Sequence, residues 1–117
     1  MTIDIYGYPG CTTVKKARDW AHAADLDARY AHFSNLPDLA KSLEDWVKSA
    51  GMAAVFNDRS QTFKKLPAEK QAAIAASDDA KIAAMAADPR LIKRPVASNG
   101  KTVLTGFVQR DWETAFL

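Results

Sequence analysis

A short strand, a glycine turn, one cysteine and a helix follow one another at the start of this chain, and that order narrows the fold more than anything else in it. Residues Thr2 to Gly7 alternate apolar and polar, Ile3 and Ile5 against Asp4 and Tyr6, the pattern of a half-buried strand. Tyr8-Pro9-Gly10 breaks it. From Thr12 a helical period takes over, with Val14, Ala17, Trp20, Ala21 and Ala24 on one face and an end near Ala24-Asp25. A second strand is expected over residues 28–33, completing a βαβ unit.

The middle of the chain reads as helical. Ser34 to Asp38 predicts a helix entry with Pro37 in the first turn. Leu39, Leu43, Trp46, Val47 and Ala50 then form an apolar stripe that Gly51 stops. Further short helices are expected over 53–59 and 65–76, split by Ser60-Gln61-Thr62. Ser77-Asp78 caps another, with Ile82, Met85 and Ala86 inward, closed by Asp88-Pro89. After that the pattern changes. Residues 95–98 and 101–105 flank Asn99-Gly100, which predicts a hairpin with a type I′ turn, and a last helix runs from about 109 to 116. The element order is βαβ, a helical block and ββα, without repeats or linkers, so one α/β domain is expected over residues 1–117.

Composition sets the outer limits. With 48% hydrophobic and 26% charged residues, the chain is an ordinary globular one, and a net charge of +2 is too small to draw it to nucleic acid or an anionic membrane as a whole. No signal-peptide pattern or membrane-length apolar run is present, and a cytoplasmic location is expected. One cysteine cannot form an internal disulfide, and with only His22 and His32 beside it no metal-ligand spacing exists, so no bound metal or cofactor is expected.

That single thiol, Cys11, stands where the first helical turn begins. Unpaired backbone N–H groups and the positive end of the helix dipole converge there, and both favour thiolate over thiol. Thr12 and Thr13 can add hydroxyl hydrogen bonds, and Lys15 and Lys16 add positive charge. The alternative is a small buried cysteine filling a gap at the strand–helix junction. A Pro-Gly before it and two threonines after it suit an exposed turn better. A second thiol of a Cys-x-x-Cys pair would fall at Val14, so a mixed disulfide at Cys11 needs an outside thiol to resolve it.

Most of the lysines and arginines, including Lys64 and Lys65, read as solvated surface charge. Arg59 and Arg94 have a further use, because a guanidinium fork suits an oxyanion or a carboxylate. Arg94 directly precedes Pro95, which restricts its backbone. Spacing alone does not bring either arginine to Cys11.

Four segments together carry a resemblance: Tyr6-Gly7 with Cys11 to Ala17; Asn57 to Ser60 with Phe63 to Leu66; Leu91 to Val96; and Gly106-Phe107. In order and spacing the chain resembles the arsenate reductase (ArsC)/Spx family of thioredoxin-like proteins, nearest in appearance to the YffB-type branch. The resemblance implies a thioredoxin-like fold with a mixed four-stranded sheet and a helical insertion over about 36–89. It also implies a cis Arg94–Pro95 bond and convergence of Cys11, Arg59 and Arg94 as the catalytic set. Thr12, Thr13, Lys15, Pro95 and Phe107 are then expected to contact the substrate. The activity implied is that of a glutathione-dependent thiol reductase, with glutathione as co-substrate, glutathione or glutaredoxin as the resolving thiol, and an anionic or thiol-containing small molecule as substrate.

Two alternatives accompany it. Arsenate reductases carry a third arginine just after the last strand, where Gly106-Phe107 stands here, and losing it costs roughly 1.5–3 kcal/mol of oxyanion contact, so weak arsenate turnover is expected. Spx-type members are regulators that bind RNA polymerase through the C-terminal domain of its α chain, with Gly51 near a contact glycine. Their redox switch is the Cys-x-x-Cys pair that Val14 removes.

Overall fold

Strand β1, Thr2–Gly7, carries the expected alternation into the structure, with Ile3 and Ile5 fully buried. The computed structural model describes residues 2–8 and 10–117; Met1 and Pro9 lie outside the described residues, so the expected Tyr8-Pro9-Gly10 turn is seen only at its two ends. By its internal contacts the chain forms two units, Met1–Leu36 with Arg94–Leu117, and Pro37–Lys93.

In the first unit, β1 is followed by α1 (Thr12–Ala23), β2 (Asp27–His32), β3 (Val96–Ser98), β4 (Val103–Thr105) and α7 (Gln109–Phe116). The sheet order is β2-β1-β3-β4, with β1 parallel to β2 and antiparallel to β3, and β3 antiparallel to β4. This is the mixed four-stranded sheet expected. Ile3, Ile5, Ala17, Ala21, Ala97, Trp112 and Phe116 make its core. Burying each large member contributes roughly 1.5–3 kcal/mol.

The joint between β1 and α1 is unusually close. A Cβ on Gly7 would stand 2.6 Å from Cγ2 of Val14, whose own side chain is 2% exposed. Ala17 and Ala21, both without exposed surface, continue the small-residue face along the helix. At its other end α1 closes in a Schellman motif: the Leu26 N–H donates to the Ala21 carbonyl and the Asp25 N–H to that of His22, with Asp25 at φ 58°. The reversal is compact, and β2 starts one residue earlier than the sequence suggested.

The hairpin forms, but its turn differs from the expected type I′. Gly100 takes φ +92°, whereas among the described non-glycine residues only Asp25 has positive φ. Type I′ needs positive φ at both central residues, so Asn99 and Gly100 do not form that turn. The Asn99 side-chain carbonyl accepts the N–H groups of Lys101 and Thr102.

The second unit is built from α2 (Leu39–Ala50), α3 (Met52–Val55), α4 (Gln61–Lys64), α5 (Ala68–Ala75) and α6 (Asp78–Ala87). Here the expected boundaries shift most. Pro37 lies ahead of α2 rather than in it, because Asp38 is the cap, accepting the Lys41 N–H at 3.1 Å. Gly51 ends α2 as expected, at φ +93°. The helix expected over 53–59 stops at Val55, since Phe56 pairs with Ile92 in a β-bridge. Ser60-Gln61-Thr62 is not a break; Ser60 caps α4 by accepting the Phe63 N–H. Ser77 caps α6 as expected, and Met85 is its buried residue. Asp88 then caps the 3-10 turn Pro89–Leu91 and pairs with Arg90. Among the described residues no helix is long and apolar enough to cross a membrane.

Two outcomes follow from these joints. Gly7→Ala is expected to lower the unfolding free energy by about 1–3 kcal/mol, the usual cost of overpacking, read from urea melts. The Arg90 guanidinium hydrogen-bonded to Asp88 holds that carboxyl below its ordinary range. A carboxyl depressed in the fold stabilises it above the unfolded value of about 3.9 and loses that contribution as pH falls through the folded value. The urea midpoint of Asp88→Asn should therefore fall below wild type at neutral pH, and the gap should close as pH falls through the folded-state value.

Candidate active site

Cys11 is the N-cap residue of α1, with φ −77° and ψ 120°, and its carbonyl accepts the Lys15 N–H that opens the helix. Its own N–H reaches the Tyr8 carbonyl at 3.5 Å. The side chain makes no capping bond and is neither buried nor fully exposed. No acidic residue stands in the first turn, so no carboxylate offsets the positive end of the helix dipole. A half-exposed thiol at an uncompensated helix start is the placement that suits a nucleophile, and the gap-filling alternative does not describe it.

The thiol lines a cleft of about 570 Å³ that follows α1. Thr12 and Lys15 line it too, as do Tyr8, Arg18, His22 and Tyr30, none of which the sequence singled out. Cys11, Lys15, Arg18 and His22 are spaced i, i+4, i+7 and i+11, one stripe of the helix. Lys15 is turned down that stripe: its ammonium lies 2.8 Å from Asp19, so much of its charge is answered there. The Arg18 guanidinium sits 4.3 Å from the centroid of the Tyr30 ring.

Arg94 approaches the same region through Tyr8. Its guanidinium lies 5.2 Å from the Tyr8 ring centroid, within cation–π range, and the side chain is partly buried. Tyr8 in turn packs edge-on against His32 and Phe33, at 4.9 and 5.5 Å. One residue thus meets Cys11 by its carbonyl and Arg94 by its ring. The Arg94–Pro95 bond is cis, as the resemblance implied, and the Pro95 carbonyl accepts the Gly106 N–H at 2.9 Å.

Three of the other expected residues, all of the first unit, do not line the cleft. Thr13 and Pro95 are not among the residues lining the cleft. Phe107 is part of an aromatic cluster instead, 6.0 Å from Trp20 and 5.0 Å from Trp112, while the Trp112 indole N–H donates to the Gly106 carbonyl. Its ring is engaged in packing. Arg59 belongs to the second unit, exposed in the turn before α4, where its N–H donates to Asn57 Oδ1.

The ArsC family matches residues 6–115 of the chain. The solved structure of the YFFB protein is 31% identical, covering 98% of this chain and 99% of its own, with a TM-score of 0.86. The uncharacterized protein YusI of Bacillus subtilis is 27% identical over 97% of both chains. The regulatory protein MgsR of the same organism is 22% identical, covering 90% of this chain and 82% of its own. The fold these relatives share is the thioredoxin-like one.

The packing of Phe107 has a measurable consequence. Phe107→Ala is expected to lower the unfolding free energy by about 2 kcal/mol, in line with losing a part-buried ring from an aromatic cluster. A melt unchanged from wild type would return Phe107 to the candidates for ligand contact.

Proposed function

Because the chain belongs to the ArsC family, we propose that it is a glutathione-dependent thiol oxidoreductase of arsenate reductase-like layout, with Cys11 as its single nucleophile. The observation that carries this reading is the half-exposed Cys11 at the start of α1, opening onto a cleft beside the Tyr8–Arg94 pair. The Cys11 thiolate attacks one sulfur of a disulfide; a new S–S bond forms, the old one breaks, and the departing thiolate takes the electron pair and a proton from solvent. With Val14 where a second cysteine would stand, a further thiol such as glutathione must release the product. Arg94 offers a guanidinium to the anionic part of the substrate. Thr12 and Thr13 are placed in the helix turn nearest the sulfur.

The experiment is intact mass after incubation with oxidised glutathione. Wild type should gain one glutathionyl group, Cys11→Ser none, and Arg94→Ala should react about tenfold more slowly, as expected for losing a charge-assisted contact. A wild-type chain that stays unmodified, or an Arg94→Ala rate equal to wild type, overturns the assignment. The relative MgsR supports a second reading, a regulatory module of Spx type that binds the C-terminal domain of the RNA polymerase α chain. Retention of that polymerase domain by both wild type and Cys11→Ser in a pull-down would favour the module.

A further inference from the structure

Arg94 reaches the thiol region through Tyr8, and Tyr8 is itself seated on a histidine whose protonation state the structure fixes. His32 ends β2 and caps the 3-10 turn Phe33–Asn35: the Ser34 N–H donates to its Nδ1 at 3.0 Å, and Ser34 Oγ stands 2.7 Å from the same nitrogen. A backbone N–H only donates, so Nδ1 carries a lone pair and the ring proton sits on Nε2. The imidazole lies edge-on to the Tyr8 ring at 4.9 Å, and Phe33 of the capped turn meets that ring at 5.5 Å. Tyr8 carries the Arg94 guanidinium at 5.2 Å and accepts the Cys11 N–H through its carbonyl. Both the histidine and the phenylalanine packed on Tyr8 are thus set by one neutral nitrogen.

The next proton that His32 takes goes to Nδ1. The cap's acceptor then becomes a donor facing the Ser34 N–H, and the ring has to turn away. A cation also arrives beside the aromatic ring that already carries Arg94, like charge near like. The surroundings do not offset it. Tyr30 stands two residues back on the same strand face, with the Arg18 guanidinium over its ring. From α1 the stripe of Lys15, Arg18 and His22 faces this strand, and its carboxylate, Asp19, is tied to Lys15. On the other face of β2, Asp4 is tied to Arg29. Among the described residues no carboxylate pairs with His32. We infer that His32 is a pH-dependent positioning residue for Arg94: neutral, it keeps the Tyr8 ring and its guanidinium in place at the thiol; protonated, it releases them. The inference rests on the reading of Arg94 as the guanidinium that serves Cys11 and adds the condition under which it does so.

The test alkylates Cys11 with two reagents of similar size, iodoacetate, an anion, and iodoacetamide, which is neutral. Both lose iodide to the same thiolate, so the ratio of their rates cancels the ionisation of Cys11 and reads the positive charge held at the sulfur. In wild type the iodoacetate-to-iodoacetamide ratio should fall about threefold between about pH 8 and about pH 5.5, whereas the field of a new imidazolium alone would raise it. His32→Asn offers a side-chain carbonyl to the Ser34 N–H and takes no proton in this range, so it should hold the high ratio throughout. His32→Ala should hold the low one, and Arg94→Ala should match it at every pH. A wild-type ratio that stays level or rises toward acid overturns the inference, as does a fall that persists in His32→Asn or an Arg94→Ala ratio equal to wild type at about pH 8. Alkylation reports on Cys11 whether or not it forms a disulfide, so these outcomes are read apart from the glutathione adduct that tests the proposed function. Nitrogen NMR of the imidazole gives a readout independent of the thiol: the neutral ring should carry its proton on Nε2, and the Ser34 amide shift should move with the same midpoint as the ratio. A proton on Nδ1 of the neutral ring overturns the inference.

Discussion

Everything at the thiol depends on how closely α1 lies on β1. Gly7, with no side chain, lets Val14 press against the end of the strand, and Ala17 and Ala21 hold the same short separation down the helix. Close packing of this kind tolerates little change in volume, which makes the position of the helix start a consequence of the core rather than of the turn. Cys11 is fixed because the turn of helix that follows it is fixed. A mobile cysteine on a loose loop would have the same chemistry available but no defined neighbours.

Those neighbours divide the work by chemistry. Tyr8 holds an arginine by its ring and accepts from the cysteine's backbone by its carbonyl, so a single aromatic residue relates the two groups without any bond between them. Asp19 draws Lys15 along the helix, leaving the start of α1 to its own backbone field. Further down the same face Arg18, with no ion-pair partner among the described residues, packs over the Tyr30 ring. Positive charge on this face is therefore graded along the helix rather than gathered at the sulfur.

Much of this is legible in the sequence, and what is not has identifiable causes. Strand β1, helix α1 and helix α7 follow strong periodic patterns, and their buried faces are those the periods mark. In the second unit, Pro37 and Ser60-Gln61-Thr62 mislead because a capping side chain decides each helix boundary: Asp38, one residue after Pro37, and Ser60 itself. Asn99-Gly100 signals a hairpin correctly but not its turn, because the Asn99 side chain takes over hydrogen bonds that the backbone makes in type I′. Of the site, Cys11 and Arg94 stand out by their place beside a helix start and a proline. Tyr8, Arg18, His22 and Tyr30 do not, since a polar helix stripe and a strand tyrosine look like any solvated surface until the fold sets them across a cleft. Phe107, marked by its place after the last strand, stands in an aromatic cluster with Trp112 of the helix that follows it and Trp20 of the distant α1, a contact the sequence does not display.

The lone cysteine has one last implication. A pair of thiols can hold two electrons' worth of oxidation as a bond inside the chain, so the protein itself stays the same molecule. A solitary sulfur has no such store. Each disulfide it forms joins this chain to some other molecule, and in that state the protein is a conjugate whose size, charge and shape are borrowed from whatever it last met.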